Sequence, residues 1–335
     1  MFKTNEANVW IDALKVRAGA IDPSLAHPKA LALAYGNEKI LPALAKMAGV
    51  VLTGHGVSSA GSADDFANLL ADSLAGVVVN QYRVHAEHRK LAKFGSVPNY
   101  KTKYFANVNQ NSGMLEVDEA GEISQDFVIA SGQGLPANVK SYAKIVKVNR
   151  EVIVNDEFDT VSNVLVNLGA RAGRLEAGAF YSLLESNPVL DDSENMFHVD
   201  HGNQMTPAVL SDSSLGAGVE ALRNQEIEAG EPSGNKAKFL LVSPDLELAA
   251  IKIVHQCGLD IEVICSPWVS SGTWYLFADP EAAPVIALLY LFGQKNGLSV
   301  TGNRAKNSRA FALRVAYDFG LVPVSRIGVI KGSVA

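Results

Sequence analysis

Cysteine is scarce in this chain, with only Cys257 and Cys265 among 335 residues. Their spacing matches no zinc-binding pattern, and two thiols cannot crosslink a chain of this length into a disulfide scaffold. We therefore expect two free, at least partly buried thiols in a protein of a reducing compartment.

Long apolar runs and basic runs are also missing. The longest strongly apolar stretch, residues 285–292, is far shorter than the roughly 20 residues of a membrane-spanning helix, and the first residues contain no signal-peptide core. A net charge of −6 and a pI near 5.7 argue against sequence-specific DNA binding. With a hydrophobic content of 48%, these features predict a soluble cytoplasmic protein of about two domains without a membrane partner.

Catalytic signatures are absent as well: the chain has no Walker phosphate loop, no Gly-x-Ser-x-Gly elbow and no His-Glu-x-x-His. Residues 54–62 fit a dinucleotide-binding loop poorly, and their small polar composition predicts a linker. His198, Asp200 and His201 are side chains that can bind a metal. Zinc sites usually take further ligands from elsewhere in the chain, and the sequence shows no obvious candidate for such a ligand. Loop-fixing hydrogen bonds are the favoured interpretation. We expect no enzyme, no metal and no cofactor, with a metal-dependent hydrolase as the remote alternative.

The clearest element is a long amphipathic helix over residues 156–188. Its apolar residues recur at spacings of three and four, and Asn187-Pro188 ends it. At about 1.5 Å per residue it is roughly 40 Å long. Arg171, Arg174 and Glu176 are assigned to its polar side, either as a solvated face or as intersubunit ion pairs. Its many glycines and alanines would let a sheet pack closely.

Around this helix the pattern predicts shorter elements. Residues 114–117 and 123–128 flank a turn and predict a hairpin with little apolar surface, which would protrude. The alternation of residues 143–154 predicts a strand. The other predicted elements are helices at 211–223 and 245–255, strands at 239–242, 261–264, 274–277, 285–292 and 308–318, and a polar loop at 293–307.

Several motifs, taken in order, resemble the major capsid (head) protein of tailed bacteriophages, of the Mu-like or prohead-protease-fusion type. The resemblance covers roughly residues 64–322 and departs from the family at 321–331. The residues that carry it are Arg150, Ile153, Asn155 and Asp156, then Arg174 and Glu176, then Leu184, Asn187 and Pro188, then 197–203, 274–276 and 313–315.

The resemblance implies an α+β tailed-phage major capsid (Johnson) fold. Its parts would be an N-terminal helical extension and linker (1–63), an N-arm (64–107), an E-loop hairpin (108–142), a peripheral domain with the long spine helix (143–188 and 273–320) and an axial domain (189–272 and 321–335).

The same resemblance implies self-assembly into an icosahedral head that encloses the viral genome. Hexamers and pentamers of this chain would meet portal, scaffold and decoration proteins and touch packaged DNA only non-specifically. The protein would reside in the host cytoplasm before assembly and in the virion capsid afterwards. An encapsulin-like nanocompartment shell is the alternative. The candidate intersubunit residues are Arg171, Arg174, Glu176, Met114, Glu119, Lys140, Asn303 and Asn307.

Overall fold

The computed structural model describes residues 4–18, 20–36, 39–41, 43, 50–53, 56–59, 63–105, 135–227, 231–293, 297–304 and 310–334. Helices and strands both contribute throughout this part of the chain, which confirms the mixed α+β class. The chain divides into two compact units. The first unit is Met1–Ala86, Ser141–Glu176 and Gln294–Asp318, and the second is Glu87–Lys140, Ala177–Gly293 and Phe319–Ala335.

The helices are α1 (Thr4–Arg17), α2 (Pro28–Tyr35), α3 (Ala63–Val84), α4 (Arg150–Val154), α5 (Phe158–Glu185), α6 (Asp212–Asn224) and α7 (Glu247–Gln256). The strands are β1 (Val50–Thr53), β2 (Gly56–Ser59), β3 (Lys93–Val97), β4 (Lys103–Phe105), β5 (Leu135–Ala137), β6 (Lys140–Asn149), β7 (Ala237–Val242), β8 (Glu262–Cys265), β9 (Thr273–Ala278), β10 (Ile286–Leu291), β11 (Leu298–Arg304), β12 (Ala310–Pro323) and β13 (Val329–Ser333).

The first unit packs helices onto one face of a small sheet. In that sheet β12 pairs with β6 and, antiparallel, with β11, where Leu298 lies opposite Tyr317. Leu313 of β12 and Leu165 of α5 have no exposed surface, and Leu74 of α3 is equally buried. These side chains belong to one hydrophobic core, so α3, α5 and β12 are held together by the burial of apolar surface.

Helix α5 runs for 28 residues, about 42 Å at 1.5 Å per residue, and confirms the long helix. Two of its glycines, however, meet a helix and not the sheet. A Cβ on Gly169 would lie 2.3 Å from the carbonyl oxygen of Val78, and one on Gly173 would lie 2.8 Å from that of Tyr82. Both carbonyls belong to α3. The small residues therefore allow two helix backbones to approach closely, and the expected role in sheet packing is wrong for these two positions.

The second unit is built on a four-stranded sheet of order β13-β9-β7-β8. Strands β7 and β8 are parallel, whereas β9 is antiparallel to both β7 and β13. All six residues of β9 are buried, as in a strand covered on both faces. Leu215 and Leu222 of α6 and Ala250 of α7 share its core. In the same unit, β10 is parallel to β3 and antiparallel to the last residues of β12.

The region expected as one strand over residues 143–154 forms a strand and then a helix. Strand β6 ends at Asn149, and one turn of helix, α4, follows. That turn places Ile153 in the core with no exposed surface, and Asp156, at φ 59°, leads into α5. Alternation alone does not separate these outcomes, because Val152 and Ile153 fit either a strand or a short buried helix.

Two stretches expected as loops contain strands. Residues 56–59, within the expected linker, pair with β1. Residues 298–304, within the expected polar loop, pair antiparallel with β12. A polar composition indicates that a segment has an exposed face. It does not exclude a strand whose backbone is hydrogen-bonded to a neighbouring strand.

The expected domain limits differ from the two units. Strand β9 was placed with residues 273–320, but it pairs with β7 and β13 and so belongs to the second unit. Residues 1–63 were expected as an extension and linker, yet Leu14 and Ile40 lie in the core of the first unit. The hairpin predicted at 114–128 lies outside the described residues. None of the helices that the structure describes is both long and apolar enough to cross a membrane.

Candidate functional site

A groove of about 240 Å³ opens on the first unit, where β6 and β12 run beside α5. It is lined by Tyr142, Ala143, Lys144, Leu168, Arg171, Ala172, Leu175, Val315 and Tyr317. Tyr142 and Leu175 are 37% and 40% exposed. The groove therefore combines accessible apolar surface with two cationic side chains, Lys144 and Arg171, as in the rim and core of a protein interface.

Arg171 and Arg174, three residues apart on α5, are both exposed. Glu176 does not share their face, because two residues along an α-helix correspond to a rotation of about 200°. Its side chain has no exposed surface. The assignment of Glu176 to the polar side of the helix is therefore wrong. Its position in the three-and-four spacing of the apolar residues was the signal that could have shown this.

Glu176 is instead bound inside the first unit by two tyrosine hydroxyls. Tyr82 of α3 and Tyr317 of β12 each donate to the same carboxylate oxygen of Glu176. The two hydroxyl oxygens lie 3.0 Å apart, and the two rings pack edge to face. Residues of α3, α5 and β12 thus meet at one buried carboxylate. The two hydroxyls supply the hydrogen bonds that a buried carboxylate needs to offset its loss of contact with water.

The remaining candidate residues are scattered along the chain. Lys140 is exposed at the start of β6. Asn303 lies in β11 opposite Ala312 of β12. Met114, Glu119 and Asn307 lie outside the described residues. Of the candidates with a described side chain, Lys140 is not among the residues that line the groove.

The loop after α5 is held by hydrogen bonds from its own side chains. Asn187, at φ 49°, accepts from the backbone N–H of Phe197 at 2.7 Å and donates to its carbonyl at 3.0 Å. The buried Asn203 accepts from the N–H of His198 and donates to the carbonyl of Met196 at 2.7 Å. These contacts support the interpretation that the Phe-His-x-Asp-His-Gly-Asn run fixes a loop.

The metal-capable side chains of that loop are engaged locally. The Nδ1 atom of His198 accepts from the backbone N–H of Asp200 at 3.3 Å. The Nε2 atom of His201 lies 3.0 Å from a carboxylate oxygen of Asp192, which also lies 3.8 Å from Nε of Arg326. Within the part of the chain that the structure describes, no group of three or more His, Cys, Asp or Glu side chains is placed to hold a metal ion.

Glu185, in the last turn of α5, has a role that the sequence did not suggest. The hydroxyls of Tyr275 and Ser270 donate to its two carboxylate oxygens at 2.7 and 2.5 Å. Burial and the neighbouring Glu185 carboxylate raise the pKa of Tyr275. The contact joins the end of the long helix to β9 of the second unit.

Both thiols are free, as expected, but the expectation that both are at least partly buried is wrong for Cys257. Cys257 is exposed and Cys265 is half-buried. Burial, together with the nearby carboxylate of Glu247, raises the pKa of Cys265 to about 11. Because the thiolate is the nucleophile, this thiol stays protonated near neutral pH.

Comparison with known protein families matches the chain to the model described as "Phage capsid protein" over residues 133–332. The matched region is more than half of the chain and contains α5, the groove and most of the second unit. No curated protein sequence matches the chain.

Three solved structures align with most of this chain. The capsid structure of cyanophage P-SCSP1u aligns with a TM-score of 0.50 and 10% identity, covering 75% of this chain and 88% of that one. The virus-like particle from Pyrococcus furiosus aligns with a TM-score of 0.49 and 10% identity, covering 78% and 98%. The encapsulin complex from Synechococcus elongatus gives 0.44 and 11%, covering 76% and 88%.

Proposed function

The chain belongs to the phage capsid protein family and forms a capsid shell, and on this premise we propose that many copies close into an icosahedral viral head around the genome. The observation that carries the proposal is the family match over residues 133–332. Closure of such a shell needs repeated contacts between unlike surfaces of identical subunits, with a rotation that returns on itself.

We further propose that the groove on the first unit receives residues 106–134 of a neighbouring subunit. That segment carries five carboxylates, at positions 116, 118, 119, 122 and 126, and no lysine or arginine. It also contains apolar residues such as Met114 and Phe127. Charge complementarity with Lys144 and Arg171, over an apolar floor, supports this pairing.

In this arrangement the remaining candidates keep subsidiary roles. Met114 and Glu119 would lie in the segment that enters the groove. Arg174 would extend the cationic surface of α5 beyond Arg171. Lys140, Asn303 and Asn307 are proposed as further contacts between subunits.

Other parts of the proposal concern partners and origin. Hexamers and pentamers of this chain would contact a portal, a scaffold and decoration proteins. Within the phage capsid family, we propose that the chain is of the Mu-like or prohead-protease-fusion type. The subunit would reside in the host cytoplasm before assembly. A net charge of −6 supports a shell that contacts packaged DNA without adsorbing it.

The test is expression of the chain alone, followed by electron microscopy and analysis of particle contents. We expect closed shells from the unmodified chain. Deletion of residues 106–134, bridged by a short Gly-Ser linker, should leave soluble subunits that form no shells. The deletion stops before β5 because Ala137 and Val139 are buried in the second unit.

Two outcomes would contradict parts of this proposal. Normal shells from the deletion variant would show that residues 106–134 are not needed for assembly. Particles from infected or lysogenic cells that hold a specific protein cargo and no DNA would favour the encapsulin-like alternative over the viral head.

A further inference from the structure

The described residues of the N-terminal segment, within 4–41, are built into the core of the first unit. Ala13, Leu14, Ala30, Ile40 and Leu41 each have at most 1% of their surface exposed. They share one hydrophobic core with residues of α3, α4 and α5. Since core positions fill space that neighbouring side chains would otherwise expose, removal of this segment would uncover a large apolar surface.

A single carboxylate, Asp156, binds two distant points of this segment. One of its oxygens accepts from the backbone N–H of Leu41 at 2.9 Å. The other accepts from Nη1 of Arg17 at 3.0 Å. The Asp156 side chain is only 9% exposed and that of Arg17 is 26% exposed, so both contacts are partly buried. Hydrogen bonds to a charged group in such a place are among the stronger ones in proteins.

The backbone at Asp156 suits this role. Its φ of 59° places it in the left-handed region at the turn between α4 and α5. Aspartate, asparagine and glycine adopt this region more readily than other residues. The carboxylate is thereby turned toward the segment at the beginning of the long helix.

Helix α3 gives the segment a third point of attachment. A Cβ on Gly76 would lie 3.0 Å from the Cβ of Ala20, so glycine allows the segment to approach the helix closely. The segment is therefore fixed by packing on α3 and by polar contacts at the start of α5.

We propose that residues 4–41 are a permanent part of the folded subunit, held by Asp156 as a clasp, and are kept in the assembled particle. The second half of this statement rests on the proposed shell function, whereas the first half concerns the free subunit. The segment then acts as a built-in cover of the first unit's core and not as an extension that assembly removes.

The first experiment uses free subunits with a specific protease site inserted between Ala60 and Gly61. After cleavage, the N-terminal fragment should co-elute with the rest of the chain in size-exclusion chromatography under native conditions. Asp156→Gly removes the carboxylate without straining the left-handed backbone, and it should speed fragment release at least about tenfold. Asp156→Asn keeps an oxygen acceptor and should lie between.

The matched control is Asp159→Ala. Asp159 lies 3.8 Å from Nε of Arg17, but its side chain is 77% exposed. Such a surface pair contributes little, so release should change less than about twofold. The clasp would be overturned by spontaneous loss of the fragment from the unmutated protein, or by equal release from Asp156→Gly and Asp159→Ala.

A second measurement needs no substitution. Amide hydrogen exchange followed by mass spectrometry should show slow exchange in peptides that contain Leu14 and Leu41. Exchange of both at the rate of an unfolded chain would overturn the proposal even if the Asp156 variants failed to fold.

Particles test retention separately. The mass of subunits from purified particles should include residues 4–41, and a chain that begins after this segment would overturn retention. If no particles form while the free-subunit measurements hold, the shell function fails and the clasp stands.

Discussion

Glu176 shows at the level of one residue how a polar side chain becomes structural. Its carboxylate has no exposed surface and accepts from the hydroxyls of Tyr82 and Tyr317. These donors come from α3 and β12, so the Glu176 carboxylate of α5 links three elements of the first unit by hydrogen bonds. A carboxylate buried in this way holds the first unit together and is not available to a neighbouring subunit.

We expect Glu176→Ala to lower the free energy of unfolding by about 2–4 kcal/mol, because it leaves two buried hydroxyls without their shared acceptor and opens a cavity. Glu176→Gln keeps the shape and one acceptor oxygen, so its effect should be smaller. Urea denaturation followed by circular dichroism measures both. The control is Glu220→Ala, at an exposed position of α6; equal losses for the two alanine variants would refute the structural role.

At the level of elements, the contact between α3 and α5 depends on the absence of side chains. The two glycines are four residues apart and therefore lie on one face of α5. Each faces a backbone carbonyl of α3 at a distance that a Cβ could not occupy. Backbone atoms cannot move aside as the end of a flexible side chain can.

Gly169→Ala should therefore destabilise the protein by about 2 kcal/mol or more, in spite of the better helix propensity of alanine. Gly216→Ala is the matched control, because a Cβ there meets nothing within 4 Å in α6. That change should stabilise by up to about 1 kcal/mol. Thermal denaturation of the two variants side by side decides the matter, and a stabilising Gly169→Ala would mean that the helices do not pack this closely.

At the level of the whole molecule, the proposed assembly contact is electrostatic as well as apolar. The acidic segment 106–134 and the cationic groove would attract each other, and salt screens such attraction. Both surfaces belong to the same chain, so every copy would carry a donor and an acceptor of the contact, as repeated assembly requires.

We expect Arg171→Glu to raise the subunit concentration needed for shell formation at least about tenfold, since it replaces attraction by repulsion. Raising the ionic strength from about 0.05 M to about 0.5 M should weaken assembly of the unmodified chain in the same direction. Light scattering measures both effects. Lys29→Glu, an equal charge change at an exposed position of α2, should assemble normally, and equal defects in both variants would indicate a general effect of charge.

Much of the fold could be predicted because its signals are local. The three-and-four apolar spacing and the Asn187-Pro188 stop act within the long helix, so its limits were predicted within a few residues of Phe158–Glu185. Local patterns also predicted the helix at Asp212–Asn224 and the strands at Ala237–Val242 and Ile286–Leu291.

Tertiary structure decided which residues face inward and what they meet. Glu176 is buried because Tyr82 and Tyr317, 94 and 141 residues away, supply its hydrogen bonds. Residues 298–304 form a strand because β12 pairs with them. The N-terminal segment lies in the core, and Asp156, far along the chain, accepts hydrogen bonds from two of its residues. Local pattern sets which backbone conformations are favourable, whereas burial and pairing depend on partners that only the folded chain brings together.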